Sequence, residues 1–199
     1  MLAAVILSGG ASSRMGSPKA LLPYQGRPFL DHLLEATRHP TISVRRVVLG
    51  PHAEPIAKSI HLNADEIVIN PDWEQGQLSS IHAAMKSFPP GLDGMLVCLV
   101  DHPLISATLV GDLINAFYSS GAPIVLPVHM GRRGHPVLFS AKLFPELLAA
   151  RLDVGARAVV WAHRAEVHEV PTAEEGCILN LNDPEAFARL TNPPDKADS

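Results

Sequence analysis

Cysteine is almost missing from this chain. Cys98 and Cys177 are the only two in 199 residues, which excludes a disulfide framework and a Cys-based zinc site. Cys98 lies inside the apolar run Met95–Val100 and reads as a buried thiol. Long apolar runs are missing too. The opening MLAAVIL is short, lacks a basic flank and leads straight into Ser8-Gly9-Gly10, so it reads as a strand and not as a signal peptide. No stretch approaches bilayer length, and the expected compartment is the cytoplasm. Basic runs do not exceed pairs such as Arg45-Arg46 and Arg132-Arg133, and the formal net charge is −4. The basic stripe of a nucleic-acid binder is therefore lacking. A negative total still permits a phosphate ligand, because local cations suffice.

Several catalytic signatures are absent as well. There is no G-x-x-x-x-G-K-[ST] phosphate loop and no G-x-G-x-x-G dinucleotide fingerprint. Ser79-Ser80 lacks the G-x-S-x-G context of a hydrolase nucleophile. His32, His39, His52, His61, His82, His129, His163 and His168 show no H-E-x-x-H or similar spacing and read as surface or core residues. Trp73 and Trp161 read as packing groups, with Trp73 close in sequence to a site loop.

What is present suits one α/β domain: 47% hydrophobic and 18% charged residues over a length that can bury a sizeable core. Apolar runs at 2–7, 44–49, 66–69, 94–100 and 123–128 predict strands. Amphipathic stretches at 29–38, 53–61, 78–87 and 106–119 predict helices. A Gly/Ser/Pro-rich loop is expected up to about Pro28. This alternation implies a mostly parallel sheet with helices on both faces. Further on, 135–139, 166–170 and 177–181 read as strands, and 142–149 and 155–162 as helices. Asp183 and Pro184 fit the start of a last helix. The expected organisation is one domain over residues 1–190 with a frayed tail at 191–199.

The densest chemistry follows the first strand: Leu7-Ser8-Gly9-Gly10-Ala11-Ser12-Ser13-Arg14-Met15-Gly16-Ser17-Pro18-Lys19. In open α/β sheets ligands sit beyond the carboxyl ends of the strands. Small residues let backbone N–H groups approach phosphate oxygens, Arg14 adds a planar fork and Lys19 a compact charge. Asp101 follows strand 94–100, where a carboxylate suits a Mg²⁺ ion bridging triphosphate oxygens. Ser106 is the better helix cap for the segment behind it.

Leu7–Lys19 resembles the signature L-x-x-G-x-x-x-R-M-G-x-x-K of the molybdopterin nucleotidyltransferases, a branch of the glycosyltransferase-A-like nucleotidyltransferases. Asn70–Ile81, Asp101–Leu104, Gly131–Phe139 and Asp153–Arg157 are similar to segments of the molybdenum cofactor cytidylyltransferase branch, in the same order. The resemblance implies a single-domain, three-layer, Rossmann-like fold with a mostly parallel mixed sheet. It implies Mg²⁺-dependent transfer of a nucleotidyl group from a triphosphate to a phosphorylated acceptor, with Arg14, Lys19 and Asp101 catalytic. Leu7, Ser8, Gly9, Gly10, Arg14, Lys19, Ser79 and Ser80 are implied as nucleotide-binding. Asp101 is implied as a metal ligand, joined by Asn180 or Asn182, and Arg133 and His135 as acceptor-binding. The chain departs from the cytidylyltransferase pattern at Ser8-Gly9-Gly10 and at Asn180–Glu185, where it is closer to guanylyltransferases. The longer matches at 70–81 and 131–139 lean towards CTP, which is the expected triphosphate. The acceptor, molybdopterin carrying molybdenum, and a client molybdoenzyme come wholly from the resemblance. Alternatives are GTP, another phosphorylated small molecule as acceptor, and a non-catalytic carrier of molybdenum cofactor. A monomer is expected.

Overall fold

The computed structural model describes residues 1–10 and 17–181. Ten strands occur among them: β1 (Leu2–Ser8), β2 (Pro23–Tyr24), β3 (Arg27–Pro28), β4 (Ile42–Leu49), β5 (Ile67–Ile69), β6 (Gly94–Leu99), β7 (Ile124–His129), β8 (Arg132–Arg133), β9 (Val137–Ser140) and β10 (Val167–Pro171). The α-helices are α1 (Phe29–Ala36), α2 (Ala53–Ser59), α3 (Gln77–Met85), α4 (Ala107–Ser120), α5 (Phe144–Ala149) and α6 (Arg157–Ala162). Eight strands form one sheet in the order β10-β7-β9-β6-β1-β4-β5, with β8 pairing on β7. All its pairings are parallel except those of β9 with β6 and β7, and of β8 with β7. The fold is α/β with a mixed, mostly parallel sheet.

Period-two burial builds the three layers. Every residue of β1 is buried, and successive side chains enter opposite faces. Leu2 and Ile6 join Leu96 and Cys98 in a core closed by Leu30 and Leu33 of α1 and by Leu109 and Leu113 of α4. Ala3, Val5 and Leu7 join Met95, Val97 and Leu99 in a second core, closed by Leu78 and Ile81 of α3, Leu147 of α5 and Val159 of α6. A strand buried on both faces reads as a continuous apolar run, as β1 and β6 do.

The topology also places the site. The chain leaves β1 for β4 and β5 on one side, then returns to β6 on the other, so the strand order reverses at β1. Ligands of open α/β sheets bind at this switch point. The parallel register sets Leu7 beside Leu99 and Ser8 beside Leu49, which brings the segments after β1, β4 and β6 to one edge.

Three local expectations fail. The segment before Pro28 is not loop throughout. It holds a 3-10 turn at Lys19–Leu21 and the hairpin β2–β3, whose Gln25 and Gly26 have φ of 47° and 76°, as a two-residue hairpin turn requires. Residues 142–149 split into a 3-10 turn, Ala141–Leu143, and α5. Residues 177–181 form no strand. A 3-10 turn at Glu175–Cys177 precedes a run whose backbone groups are used singly: Cys177 O accepts from His135 N, and Leu181 N donates to Asp101 O. These bonds lead to different loops, so no ladder forms. The helix start suggested at Asp183–Pro184 and the tail 191–199 lie outside the described residues.

Candidate functional site

A cavity of about 410 Å³ opens at the switch point. Leu7, Ser8, Gly9 and Gly10 form one wall, Lys19 and Asp101 another, and Trp73, Gly76, Gln77 and Ser80 a third. Lys19 enters on the 3-10 turn after the glycine loop, and Asp101 stands two residues past β6. Their side chains are largely buried, and Lys19 Nζ lies 3.5 Å from Asp101 Oδ2. Asp101 is not spent as a helix cap. Ser106 caps α4, accepting from Leu109 N at 3.0 Å, as the sequence suggested.

Asn180 lines the same cavity. It is held there by the bond from Leu181 N to Asp101 O, 2.9 Å long. Asp101 and Asn180 supply one carboxylate and one amide oxygen, both hard donors. Among the described residues no group of three His, Cys, Asp or Glu side chains forms a cage for an ion. Such a sparse oxygen set fits Mg²⁺, which keeps several waters and binds through one or two carboxylates plus substrate phosphates. Arg14 and Asn182 lie outside the described residues.

Within the described part of the glycine loop, Gly9 packs closely against its surroundings. A Cβ on Gly9 would stand 3.1 Å from Ser80 Oγ. Gly50, just after β4, supports Gly9 from behind, and a Cβ there would stand 2.2 Å from Gly9 O. In the sequence Gly50 shows only as a glycine closing the apolar run 44–49, with no sign of this contact. Gly10 is exposed with open space around it.

Ser79 and Ser80 part company. Both are buried, and the Asn70 amide donates to Ser79 Oγ at 2.8 Å and to Ser80 Oγ at 3.0 Å. Ser79 Oγ also lies 2.9 Å from Asp72 O and 2.8 Å from Gly76 O, so it ties the loop to the start of α3. Only Ser80 of the two lines the cavity. Asn70 was visible as part of a motif, but its role as the bracket for both serines was not.

Arg133 and His135 are not in this cavity. They line a neighbouring one of about 520 Å³, which shares Leu7, Gly76, Gln77 and Leu99 with the first. Arg133 Nε donates to Glu169 Oε1 at 2.7 Å, an ion pair linking β8 to β10. His135 packs on His102, with ring centroids 5.2 Å apart. Burial, and then the neighbouring His102, push His135 down to about 4. Burial also lowers His102, against the pull of Asp101 and of hydrogen bonds to the Gly176 and Cys177 backbone. His135 is therefore neutral near pH 7. The Nδ1 atoms of both rings are buried without a hydrogen-bond partner among the described residues.

Among the described residues, no helix is long and apolar enough to cross a membrane. The family model of the MobA-like NTP transferase domain matches residues 4–167. The chain is 36% identical over 165 residues to nicotine blue oxidoreductase of Paenarthrobacter nicotinovorans, covering 77% of this chain and 78% of that one. It is 30% identical over 197 residues to molybdenum cofactor guanylyltransferase of Vibrio cholerae, covering 94% and 89%. The crystal structure of Rv0371c from Mycobacterium tuberculosis superposes with a TM-score of 0.81 at 26% identity, covering 95% of this chain and 96% of that one. A manganese complex of the same protein superposes at 0.77 and 23% identity, over 97% and 99%. The chain belongs to the MobA-like NTP transferase domain family, and its fold is that of the nucleotidyltransferases.

Proposed function

We propose that this protein transfers the CMP group of CTP to the terminal phosphate of molybdenum cofactor and releases diphosphate. The observation that carries the reading is the meeting of Lys19 and Asp101 at 3.5 Å beside the glycine loop, at the sheet's switch point. A phosphate oxygen of the acceptor attacks the α-phosphorus of CTP. A new P–O bond forms in line as the bond to the β-phosphate oxygen breaks, and that oxygen leaves with the electron pair as diphosphate. The nucleophile is already anionic near neutral pH, so positioning and charge neutralisation dominate. The N–H groups around Gly9 hold phosphate oxygens, and Lys19 with Arg14 steadies charge on the leaving diphosphate. Asp101 with Asn180 or Asn182 would hold Mg²⁺, which would supply positive charge against the phosphates. The manganese complex of Rv0371c supports a divalent ion in this fold. Arg133 and His135 face the acceptor in the adjoining cavity.

The choice of CTP rests on the segments at 70–81 and 131–139. Ser8-Gly9-Gly10 and the guanylyltransferase of Vibrio cholerae favour GTP. Diphosphate release from CTP, GTP, ATP and UTP, with Mg²⁺ and molybdenum cofactor, tests the reading. Preference for CTP supports it, preference for GTP moves it to guanylyl transfer, and no release from any triphosphate defeats it. A second reading, an oxidoreductase, is favoured by the 36% identity to nicotine blue oxidoreductase. It would show as a redox change of nicotine blue in the presence of the same preparation.

A further inference from the structure

The motif Asp153–Arg157 takes no part in the transfer chemistry. It ends in α6, whose first residue is Arg157 and whose fifth is Trp161. Residues four apart share one helix face, and the Arg157 guanidinium carbon stands 5.4 Å from the Trp161 ring centroid. Arg157 Nε donates to Val154 O at 2.8 Å, which anchors the guanidinium at the helix start. Trp161 is 61% exposed, the most exposed aromatic side chain among the described residues. Both line the second cavity, whose other walls include Leu126, Val137, Phe139 and Leu152. The other tryptophan, Trp73, lines the cavity of the glycine loop.

We propose that Trp161 and Arg157 select the acceptor: the exposed indole stacks on a flat heteroaromatic ring, and the anchored guanidinium takes an anionic or carbonyl edge of it. The inference rests on the nucleotidyl-transfer reading and adds the residues that discriminate among acceptors. Large aromatic faces with a neighbouring cation suit planar rings. A sugar phosphate has no flat face to lay on the indole, and hydroxyl groups set against Leu126, Val137, Phe139 and Leu152 would lose hydration without a partner there. Trp161 is a specificity residue and touches no reacting atom.

With one tryptophan in each cavity, fluorescence separates the two sites. With excitation selective for tryptophan, Trp161 is the only emitter in the Trp73→Phe protein, and Trp73 is in Trp161→Phe or Trp161→Ala. A pterin monophosphate serves as the flat acceptor probe, glucose 1-phosphate as the sugar control, and CTP with Mg²⁺ as the nucleotide. Pterin monophosphate is expected to quench Trp161 saturably, while glucose 1-phosphate does not. In transfer assays Trp161→Ala is expected to raise the acceptor KM about tenfold, the value of one stacking contact. Trp161→Phe restores most of the loss, and CTP affinity read through Trp73 does not move. Absence of Trp161 quenching, or equal quenching by glucose 1-phosphate, overturns the inference even where diphosphate release is intact. Trp161 quenching without diphosphate release from any triphosphate sustains the stacking wall and defeats the transferase reading instead.

Discussion

Lys19 Nζ lies 3.5 Å from Asp101 Oδ2, although 82 residues separate them in the chain. The contact spans the mouth between β1 and β6 and is longer than a good charge-assisted hydrogen bond. Lys19→Ala and Asp101→Ala are each expected to lower the rate of diphosphate release by a hundredfold or more, roughly the cost of removing one preorganised charge-stabilising group. Both side chains sit at a cavity wall and not in the core, so the melting temperature should move little. Near-normal turnover in both variants would remove the pair from the mechanism.

Gly50 tests the support of the glycine loop. A Cβ at this position meets Gly9 O at 2.2 Å, so Gly50→Ala must displace the loop backbone. The triphosphate KM is expected to rise about tenfold or more, since small misplacements of binding groups carry large kinetic costs. Isothermal titration with CTP and Mg²⁺ gives the direct reading, and unchanged affinity would show that the loop can shift without harm.

The two serines of α3 should separate stability from binding. Ser79 makes three contacts inside the loop, with Asn70, Asp72 O and Gly76 O. Ser79→Ala strands part of a buried network at a cost of about 1–3 kcal/mol. Ser80→Ala breaks one such contact but strips a hydroxyl from the cavity wall. Thermal melts should therefore rank Ser79→Ala as the less stable variant, and kinetics should rank Ser80→Ala as the one with the higher triphosphate KM. The opposite order in both measurements would reassign the roles.

His163 provides a pH-dependent clamp beside the second cavity. Its Nε2 is 2.8 Å from Glu146 Oε2 of α5, and its Nδ1 is 2.8 Å from Glu166 Oε1, ahead of β10. Both nitrogens can donate only in the imidazolium form. The hydrogen bond to Glu146, then that to Glu166, raise its pKa above 6.5. A raised folded-state pKa means that the clamp's stabilisation is complete below the unfolded value and fades as pH climbs through the folded one. The glutamates are about half exposed, which limits the effect to about 1 kcal/mol. The melting-temperature difference between the parent and His163→Gln should be largest near pH 6 and disappear by about pH 9. A difference that grows with pH would contradict the clamp.

Much of the architecture was legible because it is written in local periodicity. The doubly buried β1 and β6 read as continuous apolar runs, the helices as amphipathic stretches, and Ser106 as a cap with its partner three residues on. What escaped depends on partners far along the chain. Residues 177–181 have strand-like composition, yet their backbone groups are claimed one at a time by His135 and Asp101. The reversal of β9 between β6 and β7 leaves no mark in its own four residues. At the site, Lys19 and Asp101 were visible as charges at strand ends. Asn70's bracket on two serines, Gly50's contact with Gly9 and the burial of His135 against His102 were not.

The sequence by itself determined the alternation of strands and helices, the small-residue loop after the first strand and the positions of Lys19 and Asp101, because hydrophobic period and residue chemistry are local properties. Only the tertiary structure decided that the chain reverses at β1, that Arg133 and His135 belong to a second cavity, and that each cavity has its own tryptophan. Those facts follow from strand order and register, which arise from long-range pairing that the individual segments do not encode.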